Sequence, residues 1–85
     1  MEDPIAREIL RLCRQRGAGR TVCPSEVARA LDHDEAAWRA MMPAVRAAAA
    51  DLAQRGAVLV LQRGRPVDPG SARGPIRIGL AEGAG

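Results

Sequence analysis

Aromatic residues are almost missing from this sequence: Phe and Tyr are absent, and Trp38 stands alone. Single-stranded nucleic acid is usually gripped by stacking its bases on aromatic side chains, and one Trp cannot supply that platform. The core must instead be assembled from Ile, Leu, Val, Met and Ala. Lysine is missing too, since all thirteen basic residues are Arg. Arginine does not deprotonate in the accessible range, so a high isoelectric point overstates a formal charge of only +3. There is one histidine, His33, flanked by Asp32 and Asp34. It has no evident nucleophile to serve, and Ser25 is expected in a helical first turn, so catalysis is not expected. No apolar run is long enough to span a bilayer and no signal peptide is evident, which points to a cytoplasmic protein without a membrane partner. The only two cysteines, Cys13 and Cys23, read as small thiols in or near the core. A zinc site normally needs four ligands at characteristic spacings, so neither a metal nor a cofactor is expected.

What is present is unevenly distributed. Residues 1–35 carry six Arg against seven acids, a net charge of −1. Residues 36–80 carry seven Arg against Asp51 and Asp68, a net charge of +5. Any electrostatic footprint is therefore expected in the second half. With 85 residues there is room for one domain and one modest core.

Asp3 and Pro4 read as cap and first residue of a helix over 3–16, with Ile5, Ile9, Leu12 and Cys13 on one stripe and Gly17 as its stop. A short extended piece at 20–23 precedes a second helix that opens on Pro24 and buries Val27, Ala28 and Leu31. Asp32-x-x-Glu35 has the spacing of a third helix start. Trp38, Met41, Met42, Val45, Ala49 and Leu52 then follow one helical face. Pro43 interrupts that face, so the segment is either one kinked helix or a short helix followed by a longer one, and the break is the preferred solution. Ala57–Gln62 and Pro75–Leu80 read as an antiparallel pair of strands joined by a long loop, 63–74, rich in Gly, Pro and Arg. Residues 81–85 read as a disordered tail. The order predicts an α+β winged helix over residues 1–80: a three-helix cluster, an antiparallel β-hairpin wing and a short third strand at the sheet edge.

Several stretches carry a resemblance as well: Thr21-Val22-Cys23-Pro24-Ser25-Glu26-Val27-Ala28, Trp38-Arg39, Met42-Pro43-Ala44-Val45-Arg46, Arg63-Gly64-Arg65-Pro66-Val67-Asp68-Pro69 and Arg73-Gly74-Pro75-Ile76-Arg77. On these the chain resembles a family of small bacterial winged-helix proteins catalogued only as a domain of unknown function. The resemblance spans roughly residues 5 to 80 and implies the fold, but no activity or partner.

The candidate binding residues are Arg39, Arg46, Arg63, Arg65, Arg73 and Arg77. A winged helix can set its third helix in the major groove while its wing reaches the backbone or the minor groove. Arg39 and Arg46 lie seven residues apart and share a face if the helix is continuous. The loop arginines suit phosphates. The exposed helix face has no Asn, Lys, Ser or Thr, so direct base reading is thinly equipped and backbone and shape recognition is favoured. The leading expectation is a non-enzymatic module for duplex DNA. The alternative is a protein-interaction module, for which Trp38 is either core or an exposed anchor. Arg77 is either a phosphate contact or a structural residue that pairs across the hairpin. No helix is left over for dimerisation, so the oligomeric state stays open.

Overall fold

The computed structural model describes residues 3–81. Its elements run α1 (Pro4–Arg16), β1 (Thr21–Val22), α2 (Pro24–Leu31), α3 (Glu35–Ala40), α4 (Met42–Gln54), β2 (Val58–Gln62), β3 (Arg65–Pro66) and β4 (Arg77–Leu80). Among the described residues the α+β architecture is compatible with the winged-helix arrangement: the preferred break near Pro43 makes the helices four, and a further short strand, β3, lies inside the loop. The expectation of a disordered tail falls, apart from Ala81, outside the described residues.

The helix ends follow local chemistry. Asp3 caps α1 by accepting from the Ile5 N–H at 3.4 Å, and Gly17 stops it at φ 93, where only Gly is unstrained. Glu26 closes the first turn of α2 by accepting from the Cys23 N–H at 3.4 Å. The third helix begins two residues later than the Asp-x-x-Glu spacing suggests. Asp34 is its cap, accepting from the Ala37 N–H at 3.0 Å, while Asp32 Oδ1 accepts from the Asp34 N–H at 3.0 Å. The Pro43 ambiguity resolves as a break. Met41 separates α3 from α4, and Pro43 falls in the first turn of α4, where its missing N–H has no intrahelical partner to lose.

The sheet is antiparallel throughout, in the order β1-β4-β2-β3. Val60 faces Ile78 and Leu61 faces Arg77 across the central pair, and Val22 extends the same row through Ile78. This row meets Ile9 and Cys13 of α1, Val27 of α2 and Val45 and Ala49 of α4, all at 0% exposure except Val60 at 2%. Each fully buried Val or Ile contributes about 1.5–3 kcal/mol relative to leaving it exposed. Trp38 is half-buried and packs against the rim of the core.

The long loop is more ordered than its composition suggests. Arg63 and Gly64 are both at positive φ, 54 and 79, and join Gln62 to Arg65 as a paired position. That is the two-residue reversal of a tight hairpin, for which the type I′ turn demands two left-handed residues. Val67 continues the pairing by donating to Val60 O at 2.9 Å. The chain then crosses back to β4 through a turn in which Asp68 Oδ1 accepts from the Gly70 N–H at 3.0 Å.

Candidate nucleic-acid interface

Four of the six candidate arginines come together. Arg63, Arg65, Arg73 and Arg77 line one open cleft of about 1090 Å³, with Gln62, Pro66, Val67, Gly74 and Pro75 completing its walls. Arg63 comes from the tight reversal, Arg65 from β3 and Arg73 from the returning segment. These three side chains are exposed, and none forms an ion pair among the described residues. The nearest acid in sequence, Asp68, accepts hydrogen bonds from the Gly70 N–H and from Ser71 Oγ.

Arg77 belongs to the cleft but is engaged elsewhere. Its Nε donates to Thr21 Oγ1 at 2.9 Å and its terminal nitrogen to Thr21 O at 3.1 Å. It thus ties β4 to β1, with the carbonyl of Thr21 also accepting from Arg16 at 3.0 Å.

Arg46 does not line the cleft. Its guanidinium donates to Ala72 O at 2.8 Å and Gly74 O at 3.2 Å, joining α4 to the return segment. Arg39 is farther removed in role. The break at Met41 puts it on α3, apart from Arg46 on α4, so the shared face that continuity would have given does not exist. Arg39 pairs with Glu35 at 2.8 Å and lies over the Trp38 ring at 5.2 Å, while Arg29 of α2 lies over it at 4.7 Å. Both distances are in the range of cation–π attraction.

Two contributing residues escape sequence reasoning. Gln62 donates from its amide to Arg73 O and Pro75 O, partners eleven and thirteen residues away with no local signal. Asp68 had a signal: Asp-Pro-Gly is a turn-forming run in which the Asp side chain bonds the backbone two residues on.

The other chemistry-bearing groups stay apart. His33 is exposed in the α2–α3 connection. Cys13 is buried, and burial pushes its thiol up to about 11 despite the opposing charge of Arg16. Both cysteines are free, and Cys23 Sγ lies 2.9 Å from Ser25 Oγ. Among the described residues no group of three or more His, Cys, Asp or Glu gathers as metal ligands, and no helix is long and apolar enough to cross a membrane.

Residues 2–81 match the family described as "Protein of unknown function (DUF3253)". The chain belongs to this family. The match covers both the helical cluster and the wing, so the arginine cleft lies wholly within the DUF3253 region. No curated protein matches the chain's sequence.

Proposed function

We propose that this DUF3253 domain is a non-enzymatic binder of duplex DNA, acting in the cytoplasm, that sets Arg63, Arg65 and Arg73 of its wing against the phosphate backbone. One observation carries the reading: three exposed guanidiniums, none with an acidic partner among the described residues, line a single cleft. Guanidinium forks match phosphate oxygens bidentately, and a hydrogen-bonded hairpin presents those of Arg63 and Arg65 with less ordering cost than a free loop. The two free thiols fit a reducing compartment.

The helical part of the binding surface is subordinate in this reading. The exposed positions of α4 are Pro43, Ala44, Ala47, Asp51 and Gln54, and Arg55, its C-cap, is paired with Asp51 at 3.0 Å. Such a face can approach a groove closely but has few groups that discriminate base edges. Recognition is therefore of backbone and shape, with weak sequence preference.

A labelled mixed-sequence duplex titrated with the protein at two salt concentrations tests this directly. Salt-sensitive binding is the expected result, and absence of binding at low salt overturns it. A second reading, protein contact centred on half-buried Trp38 with two guanidiniums over its ring, draws on the enrichment of Trp and Arg at interfaces. It predicts binding of a protein that is weakly sensitive to salt and abolished by Trp38→Ala.

A further inference from the structure

Four consecutive carbonyls around Arg73 are held by two side chains from different elements. Arg46 of α4 takes those of Ala72 and Gly74. Gln62, at the end of β2, takes those of Arg73 and Pro75. Residues 72–75 lie outside any regular element, so these carbonyls lack the ladder partners that a strand would supply. Ala72 is further anchored by donating to Asp68 O at 2.8 Å and by packing against the core. Arg73 itself remains exposed.

We propose that Arg46 and Gln62 are positioning residues: together they clamp the backbone at 72–75 and thereby fix the pose in which Arg73 meets its anionic ligand. The functional half of this inference rests on the duplex-DNA reading above. The clamp itself does not. Arg46 suits this role because its planar fork reaches two carbonyls at once, which a lysine ammonium on a flexible stem does less well. Gln62 contributes an amide with two donors, enough for both of its partners. The arrangement reassigns Arg46. It acts through Arg73 and not as a phosphate contact of its own.

Trypsin reports the clamp without any DNA, since it cuts after Arg73 and, as an internal control, after Arg20. In the full chain, Arg46→Ala is expected to speed cleavage after Arg73 about tenfold relative to cleavage after Arg20, the effect of losing charge-assisted hydrogen bonds that held the segment closed. Gln62→Met should act in the same direction, and Arg46→Lys should restore part of the protection. Equal acceleration at both sites would mean general destabilisation, and no acceleration would mean no clamp. Either result overturns the proposal.

The duplex titration then tests the consequence. Arg46→Ala should weaken binding several-fold in the wild-type background and add nothing, in affinity or in salt slope, in an Arg73→Ala background. A further slope reduction of about 0.9 in the Arg73→Ala background would make Arg46 a phosphate contact and refute its positioning role. If the wild-type protein binds no duplex, the DNA reading fails while the trypsin result still decides the clamp.

Discussion

Removing the three wing guanidiniums should change the salt dependence of DNA binding by an amount that the geometry specifies. Six arginines were candidates on sequence grounds. Arg77 is tied to Thr21, Arg46 to Ala72 and Gly74, and Arg39 to Glu35, which leaves Arg63, Arg65 and Arg73. Each phosphate neutralised lowers the slope of log affinity against log salt by about 0.9, so three contacts give about −2.7 and six would give about −5.4. Between about 50 and about 200 mM salt, three contacts cost about 40-fold in affinity and six about 2000-fold. Fluorescence anisotropy across that range separates the two cases easily. The Arg63→Ala/Arg65→Ala/Arg73→Ala variant should lose nearly the whole slope while keeping its fold, because none of the three side chains is buried and none is ion-paired among the described residues. A wild-type slope near −5.4, or a variant slope equal to wild type, would refute the assignment.

Three other perturbations probe the frame behind the wing. Ile78→Ala empties a fully buried site in the strand that joins β1 to β2, and should cost about 2–5 kcal/mol in urea unfolding; a cost below about 1 kcal/mol would show that this row is not central to the core. A side chain at Gly79 would bring its Cβ to 3.0 Å from Arg20 O and 3.2 Å from Thr21 Cγ2, so Gly79→Val should destabilise by about 1–3 kcal/mol through displacement of β1, and an unchanged thermal midpoint would contradict that packing. Iodoacetamide at mildly alkaline pH should label half-buried Cys23 but spare Cys13, whose thiol burial pushes up to about 11; labelling of both in the native protein would place Cys13 nearer the surface.

Acid stability offers a further check. Burial raises the pKa of Glu26, but hydrogen bonds from Cys23 and the charge and hydrogen bond of Arg16 outweigh it and leave the carboxyl below its ordinary value of 4.5. A carboxylate depressed on folding contributes stability that is present above pH 4.5 and lost as pH falls through the lowered folded value. Glu8 acts in the same direction through its hydrogen bond to Arg11, with burial opposing and the charge of Arg11 assisting. Glu26→Gln should flatten the acid limb of the stability curve measured by urea unfolding at a series of pH values. An unaltered limb would exclude Glu26 as a contributor.

The local grammar of the chain determined most of its elements. Asp3 with Pro4, Gly17, Pro24 and Gly56 mark helix boundaries because caps and left-handed stops depend on nearest neighbours. The alternation at 75–80 announced β4 for the same reason. The cap at Asp34 and the break at Met41 were only partly legible, since Asp32, Asp34 and Pro43 each offer more than one local solution and packing selects among them. The reversal at Arg63-Gly64 was hidden because Arg at positive φ is uncommon, so nothing in the residue type advertised a two-residue turn.

The candidate binding surface was legible as a charge balance but not as a cluster of residues. Sequence alone determined that the second half is basic, that aromatic stacking is lacking and that base-reading side chains are scarce. Only the tertiary structure decided which cations remain exposed and which are engaged within the fold. Arg46 meets carbonyls twenty-six and twenty-eight residues away, and Arg77 meets Thr21 at a separation of fifty-six. Those partners are brought within reach by burying Val22, Val45, Val60 and Ile78 in one core. Hydrophobic burial is non-directional and long-ranged along the chain, and hydrogen bonds then form among whichever groups it brings together.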